Sequence, residues 1–456
     1  MKRSMSRVND FVRPVHLTDA EYERLFILAE SLVEDVMWQY QGHHVKQRGV
    51  MDPTKWKLIK EKQQLSCYRQ QRQDRHTVPA ALTIGQMPGN VEDVMYGLVN
   101  TNKQDMEIQG VYTDGDLVDC RVLATIASPT PLDPFRTITI KWALRNHHSH
   151  GIYRFRDFVY LESTGMSTTL EGQRIGYHLQ HSIPVASVGE LPSHLKIIRG
   201  YSSVCYLFRQ HRKDSLDCYF KGSMDLQGGV RDKIAISVAA DLLMATAEQS
   251  IRCALMKKLS FSLRTASPTS NSTSHESLRR SRISKKNRDR SNDCAVCQRH
   301  LRPFMGKTQC ELCCLNVCGR CSVVKKVFML DKKCRMSPRR TDFCKACVMT
   351  TNTTSALWIA SKEVQFQQET INKSKPRSSA DGSGRRTEMS SFCSSRTQCM
   401  QSGMNPLVPS NTSISECDDL DAVPVIEDDS SPVVEAEECP MIGMACENDE
   451  DIDYVF

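Results

Sequence analysis

The sequence lacks most of the features that would assign it to an enzyme class or to a membrane. Its 456 residues contain no run of eighteen or more apolar residues, so no membrane-spanning helix is predicted. The first four residues (MKRS) continue into polar sequence rather than an apolar secretory segment. There is no GxSxG elbow, phosphate-binding glycine-rich loop or HExxH motif. These absences predict a non-enzymatic protein of the cytoplasm.

A histidine-rich stretch, HHSH at residues 147–150, has the residue types of a metal or general-base site. It follows a strand pattern and precedes Gly151, and no carboxylates stand near it at a diagnostic spacing. The pattern therefore favours a solvated turn.

The net charge of +7 hides two blocks of opposite sign. Residues 279–290 contain seven Lys or Arg, whereas residues 415–456 contain fifteen Asp or Glu and no Lys or Arg. Such blocks are usually solvated segments rather than parts of a fold. The basic block has no interleaved aromatic residues and no groove-reading motif beside it, so nucleic acid is only a minor alternative as a partner.

Cysteine, by contrast, is abundant: the chain has twenty, and eight of them form four Cys-x2-Cys pairs. The pairs are Cys294/Cys297, Cys310/Cys313, Cys318/Cys321 and Cys344/Cys347. Zinc takes four thiolate ligands, and a two-residue gap lets one short turn supply two of them. Because no oxidising compartment is indicated, the pairs favour metal binding over disulfides. They predict two Zn²⁺ ions.

The lengths of the intervening loops predict which pairs share an ion. Twelve residues separate the first two pairs, four separate the second from the third, and twenty-two precede the last. Four residues are too few for the second and third pairs to converge easily on one metal, so the pairs should interleave. The ligands of site one are then Cys294, Cys297, Cys318 and Cys321, and those of site two are Cys310, Cys313, Cys344 and Cys347. Cys314 and Cys334 are left over.

The segment CAVCQRHLRPFMGKTQCELCCLNVCGRCS (residues 294–322) resembles a FYVE-type zinc finger. The resemblance covers about residues 286–360. It implies a small cross-brace module with two zinc ions. It also implies docking to endosomal membrane that contains phosphatidylinositol 3-phosphate.

The resemblance is weakest where that family binds the lipid headgroup. The family's basic motif around the third cysteine, (R/K)(R/K)HHCR, corresponds here to GKTQCE (residues 306–311). Lys307 alone keeps the expected charge, and Glu311 places an anion there. Pro303, Phe304 and Met305 fall where the family has a membrane-inserting loop, although Phe304 could instead pack inside the finger. The predicted lipid contacts are Pro303, Phe304, Met305 and Lys307.

Two alternatives to membrane docking follow from the same residues. FYVE-related fingers without the basic motif bind small GTPases, so the chain could be a protein-interaction scaffold. RING-type ubiquitin ligases also use an interleaved zinc brace, but they normally include histidine among the ligands. Here His300 lies outside the pair spacing.

The region before the cysteines has the pattern of an α+β domain. Thr18 and Glu21 form a capping-box pattern ahead of a helix over residues 18–36, and a short helix is predicted over 91–100. Short strand patterns fill residues 106–220, and a long helix is predicted over 230–258. A curved antiparallel sheet that grips one long C-terminal helix leaves a cavity suited to an apolar ligand.

The stretches YRFRDFVYLES (153–163), IIRGYSSVCYLF (197–208) and FKGSMDLQGGVRDKIAISVAADLLMA (220–245) resemble the START family. The resemblance implies a helix-grip fold around an apolar lipid ligand. Arg156 and Asp157 are predicted to form an ion pair at a strand end, with contact to a lipid headgroup as the alternative. Trp142 and Tyr160 are predicted to be core residues.

These observations predict four regions. Residues 14–263 form a START-like lipid-binding domain, 264–285 a basic Ser-rich linker, 286–360 a FYVE-like zinc finger, and 371–456 a disordered Ser-rich and then acidic tail. The predicted protein is a cytoplasmic adaptor that holds a lipid and associates peripherally with phosphoinositide-containing endosomal membranes.

Overall fold

The computed structural model describes residue 8 and residues 11–374, except 47, 72–77, 113–115, 148–149, 170, 267–292, 302–306 and 331–335. These residues belong to one compact unit, Met1–Arg377. Most of the predicted linker and of the predicted tail lies outside the described residues.

The first long helix is α1 (Asp19–Gln41), and it begins at the predicted capping box. The Glu21 amide donates to the Thr18 hydroxyl at 3.3 Å, and the Thr18 amide donates to the Glu21 carboxylate at 2.9 Å. Further along α1, Ala29 and Val33 are buried in two apolar clusters that also contain strand residues. The predicted helix is confirmed, and its apolar side covers one face of a sheet.

Ten strands form that sheet, and all neighbouring pairs along its main path are antiparallel. They are β1 (Trp56–Lys62), β2 (Leu65–Gln70), β3 (Ala81–Pro88), β4 (Leu117–Ala127), β5 (Thr137–His147), β6 (Ile152–Thr168), β7 (Arg174–Ser182), β8 (Ile198–Arg199), β9 (Tyr201–Arg212) and β10 (Ser215–Asp225). The spatial order is β1-β2-β3-β10-β9-β7-β6-β5-β4, and β8 pairs with β6 in parallel. Strands β4 to β10 occupy the region where strands were predicted.

Both faces of the sheet are covered. On β5, Ile138, Ile140 and Trp142 belong to the cluster on the α1 side, whereas Ala143 belongs to the opposite, inner cluster. Successive side chains of a strand point to opposite faces, so a strand covered on both faces has an almost continuous apolar sequence. This explains why β5 reads TITIKWAL rather than as an alternating pattern.

Three helices cover the inner face: α2 (Val91–Leu98), α3 (Lys103–Tyr112) and α4 (Asp232–Ala266). The predicted α2 is confirmed, and α4 extends eight residues beyond the predicted end at 258. The prediction of strands from residue 106 onward is wrong over 106–112, which belong to α3. At Gly97, α2 approaches α4 so closely that an added Cβ would lie 1.9 Å from the Ser250 carbonyl oxygen. Among the described residues, α4 alone is long and apolar enough to cross a bilayer, but a core helix passes the same test, and half of its apolar window is buried.

The cysteine-rich module contains two hairpins and two helices. They are β11 (Lys307–Gln309), β12 (Asn316–Cys318), β13 (Ser322–Leu330), β14 (Met336–Cys344), α5 (Lys345–Thr353) and α6 (Ala356–Ser374). The predicted α+β fold, with a sheet that grips a long helix and a separate small cysteine module, is confirmed.

The module packs directly on the second half of α4. Val327 and Phe343 are fully buried and share one apolar cluster with Met256 and Leu259 of α4. The buried Lys258 side chain pairs with Asp93 of α2 at 2.6 Å and donates to the carbonyl of Asn352 at 2.9 Å. α4 therefore contributes to two cores. The predicted domain ends at 263 and 360 lie inside α4 and α6.

Candidate functional site

The first two cysteine pairs form turns of the same shape. The amide of Gln298 donates to the carbonyl of Cys294 at 2.8 Å, and the amide of Cys314 donates to the carbonyl of Cys310 at 2.8 Å. Gln298 and Cys314 each follow the second cysteine of a pair with a positive φ, 57° and 58°. This accounts for the leftover Cys314: it is the exposed residue at which the turn reverses.

The eight paired cysteines meet in the two groups that loop lengths predicted. Within each group all four sulfur atoms lie within 4.8 Å of one another. The Sγ atoms of Cys297 and Cys318 are 3.8 Å apart, and those of Cys313 and Cys344 are 4.0 Å apart. A tetrahedral zinc with Zn–S bonds of about 2.3 Å requires sulfur atoms about 3.8 Å apart. The groups are Cys294, Cys297, Cys318 and Cys321, and Cys310, Cys313, Cys344 and Cys347.

Strand ends bring the distant pairs together. β12 ends at Cys318, whose amide donates to the Cys294 sulfur at 3.4 Å. β14 ends at Cys344, the N-cap of α5, whose sulfur accepts from the Cys347 amide at 3.3 Å. Backbone N–H groups and a helix N-terminus both stabilise negative charge, as bound thiolates require.

The donor set fits zinc. Both groups contain thiols alone, and the fourteen described cysteines form no disulfide. His300 is exposed and bonds to Asp293 at 3.1 Å instead of joining either group. Four protein ligands leave no open coordination position, which is typical of structural rather than catalytic zinc.

The predicted lipid contacts are only partly described. Lys307 is exposed at the start of β11, whereas Pro303, Phe304 and Met305 lie outside the described residues. Glu311 pairs with Arg339 at 3.3 Å on the exposed surface. Several further cations are exposed on the module: Arg299, Arg320, Lys326, Arg339, Arg340 and Lys345.

A second candidate site lies inside the sheet region. Lys141 of β5, Glu162 of β6 and His178 of β7 form what we call the inner polar cluster; the side chains are at most 3% exposed. The Lys141 ammonium pairs with the Glu162 carboxylate and donates to the Asn100 carbonyl at 2.8 Å. The other Glu162 oxygen lies 2.7 Å from His178 Nε2. The cluster is completed from one side by the loop after α2.

Thr139 Oγ1 and His178 Nδ1 are among the buried polar atoms that have no hydrogen-bond partner among the described residues. The His178 ring stacks on Tyr206, with centroids 5.5 Å apart, and the Tyr206 hydroxyl lies 3.2 Å from Thr246 of α4. Unpaired buried polar atoms cost free energy. The cluster thus offers donors and acceptors to a group that would enter between the sheet and α4.

Burial sets the protonation of these groups. It lowers the pKa of His178 to about 3, and the Lys141 ammonium acts in the same direction. Burial also lowers the pKa of Lys141. His178 is therefore a neutral ring at physiological pH, with one nitrogen toward Glu162 and the other without a partner in the part of the chain that the structure describes.

The predicted ion pair between Arg156 and Asp157 is wrong. Asp157 pairs with Arg199 at 2.9 Å and accepts from the Trp142 indole at 3.0 Å. Arg156 donates instead to the carbonyl of Leu226 at 2.9 Å. Successive side chains on β6 point to opposite faces, so the two residues cannot meet. Trp142 and Tyr160 are core residues, as predicted.

The solvated-turn prediction for residues 147–150 is also wrong at His147. This residue ends β5 and is 4% exposed, with its ring edge-on to Phe158. Burial lowers its pKa to about 3. His150 is half-buried and bonds to Asp241 of α4 at 2.9 Å. Residues 148 and 149 lie outside the described residues.

The inner polar cluster was missed at the level of sequence. Each member interrupts an apolar strand: Lys141 in TITIKWAL, Glu162 in FVYLES and His178 in IGYHLQ. Charged residues in strands that are covered on both faces are a usable signal, because they need buried partners. The signal does not reveal which of them meet.

Comparisons with known proteins find similarity at the level of solved structures. No family model and no curated protein matches the chain. Human StAR-related lipid transfer protein 5 aligns at 12% identity over 51% of this chain and 97% of its own, with a TM-score of 0.38. Human STARD10 aligns at 14% identity over 47% and 79%, with a TM-score of 0.33. The lipid transfer and protein localization domain of human StarD13 (DLC2) aligns at 13% identity over 53% and 98%, with a TM-score of 0.32.

Proposed function

We propose that this protein is a non-enzymatic adaptor that holds an amphipathic lipid between its sheet and α4. In this proposal a two-zinc, FYVE-like module attaches it to anionic, phosphoinositide-containing membrane, with endosomes as the expected location. The observation that carries the ligand site is the inner polar cluster, with the unpaired Thr139 Oγ1 and His178 Nδ1 in an apolar interior. A ligand with a small polar head and an apolar body would satisfy both.

Mass spectrometry of lipids extracted from the purified full chain tests the ligand site. Wild-type protein should retain a stoichiometric lipid, and His178→Gln should retain less or a different species, because the head of the ligand loses its partner. Exposed His194 provides the matched control, and His194→Gln should leave the lipid unchanged. Absence of any co-purifying or added lipid in the wild type would refute this part.

The eight paired cysteines would hold zinc in a structural role. Each group of four thiolates would fill the coordination sphere of one ion and leave no position for substrate. Because so small a module has few apolar residues, the ions would supply most of its folding free energy. The folded module would in turn hold its exposed Lys and Arg side chains in fixed positions.

Membrane attachment through the module rests on its charge. The antiparallel hairpin places Lys326 directly opposite Arg340, and Arg339 and Lys307 are also exposed. Each cation near an anionic bilayer contributes about 1 kcal/mol of attraction, so the exposed cations of the module favour membranes with acidic headgroups. The predicted insertion of Pro303, Phe304 and Met305 would add apolar contact.

Liposome co-sedimentation of the full zinc-loaded chain tests the attachment. We expect binding to vesicles with phosphatidylinositol 3-phosphate, strong loss in Lys326→Glu/Arg340→Glu, and no loss in the charge-matched control Lys55→Glu/Lys57→Glu on the β1 side of the sheet. Binding only to generic anionic vesicles would retain the charge argument and remove headgroup selectivity.

A protein-binding scaffold is the second candidate. The pairing of Glu311 with Arg339 favours it, since this carboxylate stands where an anionic headgroup would need a cation. Failure of the full chain to bind any vesicle would select this candidate, with a small GTPase or another protein as the partner. A RING-like ubiquitin ligase is disfavoured by the all-cysteine groups.

A further inference from the structure

A cleft of about 570 Å³ lies where the module meets the sheet region, bordered by α2, α3, α4, α6, β13 and the segment between β4 and β5. This volume is in the range of sites for small-molecule ligands. Six aromatic rings contribute to its walls, from Tyr96, Tyr112, Phe135, Phe261, Phe328 and Phe366. The wall from β13 is fixed by Phe328, which meets the Tyr112 ring edge-on with centroids 5.8 Å apart. The cleft is thus apolar on several sides, and both the sheet region and the module supply its walls.

The charged groups of the cleft differ in whether they have an ion-pair or hydrogen-bond partner. The Arg264 guanidinium pairs with Glu363, which also accepts from the Tyr96 hydroxyl at 2.9 Å. Asp105 accepts hydrogen bonds from Thr101. Glu369 lies on the exposed side of α6.

Lys257, unlike Arg264, contacts backbone carbonyls and an aromatic ring rather than a carboxylate. Its ammonium is half-buried, donates to the carbonyls of Tyr96 at 2.7 Å and Val99 at 3.1 Å, and lies 4.3 Å from the Tyr96 ring centroid. No carboxylate of the described residues forms an ion pair with it. An ammonium has three donors, and carbonyls satisfy two of them. The Tyr96 ring also lies against the ammonium but carries no net charge, so the positive charge remains available to an anionic ligand.

We propose that this cleft binds an amphipathic anion, with its anionic group on Lys257 and its apolar body against the aromatic walls. A long-chain carboxylate has this chemistry. The walls of this site include none of Lys141, Glu162 and His178, so it is distinct from the inner polar cluster, although both sites border the loop between α2 and α3.

Calorimetric titration of the full chain with dodecanoate is the first test, with uncharged dodecanol as the matched probe. Lys257→Met should weaken dodecanoate binding at least about tenfold, because a charge-assisted contact is lost, and should leave dodecanol binding within about twofold. Lys57→Met, an exposed lysine on β1, should change neither. Absence of dodecanoate binding to the wild type, or equal losses for both probes, would overturn the proposal.

A second variant guards against a folding defect in Lys257→Met. Gln367 is exposed at the mouth of the cleft, so Gln367→Trp should fold normally and obstruct entry for both probes. Photo-crosslinking with a diazirine-tagged dodecanoate then locates the site. Label on peptides of α4 and α6 supports the proposal, whereas label confined to β5, β6 and β7 would place the anion in the sheet interior and refute it.

Discussion

The sheet region and the cysteine module are stabilised by different means, although they share α4. The sheet region buries its apolar side chains in three large clusters, one inside and two outside the sheet. The module has a small cluster that includes its own thiols and is completed by Cys253, Met256, Leu259 and Leu263 of α4. A large core can fold by burial alone, whereas a small one needs a metal or a neighbour. The module packs on such a neighbour, and its two cysteine groups could hold the metal.

The largest effect should come from removing one metal ligand. Cys318→Ser should reduce the zinc content from about two ions to about one per chain and unfold the module, since structural zinc contributes about 10 kcal/mol or more. Metal analysis of the purified variant measures this. Cys314→Ser, at an exposed cysteine outside both groups, should keep both ions; a full zinc content in Cys318→Ser would contradict the assignment.

In the sheet region, the corresponding experiment removes one charged partner from the inner polar cluster. Lys141→Met should destabilise the protein by about 3–5 kcal/mol, because Glu162 would be left buried without its charged partner. The double variant Lys141→Met/Glu162→Leu should recover much of the loss. Urea unfolding measures both; additive losses in the double variant would show that the two residues do not act as a pair.

The junction of the two regions should be sensitive to Phe328→Ala. The side chain is 6% exposed against Tyr112, and its loss should cost about 3 kcal/mol. Zinc content should be unchanged, because Phe328 belongs to neither cysteine group. Val324→Ala, at a 54% exposed residue of the same strand, should cost less than about 0.5 kcal/mol. Equal stability of the two variants would contradict a docked module.

A pH titration separates the regions further. The folded-state pKa of His178 is lowered to about 3 from an ordinary value of 6.5, so the unfolded chain binds its proton first as pH falls. Stability attributable to His178 is complete above pH 6.5 and falls by about 1.4 kcal/mol per pH unit from there toward pH 3. His178→Gln should show a correspondingly shallower decline over this range, and identical declines would argue against a neutral buried ring.

The smallest effect should come from one hydrogen bond across the junction. The Tyr112 hydroxyl donates to the carbonyl of Lys326 at 2.6 Å. Tyr112→Phe should therefore cost about 1 kcal/mol in urea unfolding. Tyr201→Phe, at an exposed tyrosine, provides the comparison, and a smaller loss for Tyr112→Phe than for that control would be unexpected.

Local sequence patterns predicted a large part of this fold. The capping box at Thr18, the apolar face of α2 and the cysteine spacings act within short distances along the chain, and each gives an element or turn at the predicted place. Strands β1 to β3 were not predicted, and for β1 the reason is that it is a charged, largely exposed strand without apolar alternation. The end of α4 was set too early because its last turns are buried by the module rather than by the sheet.

The sequence by itself determined the pairing of the eight cysteines, because loop length limits which turns can reach one ion. It also determined that a sheet precedes one long helix. Only the tertiary structure decided that Lys141, Glu162 and His178 meet, since they come from three strands whose register is set by the whole sheet. It alone placed the module on α4, because that contact depends on apolar side chains from distant segments whose packing partners no local pattern identifies.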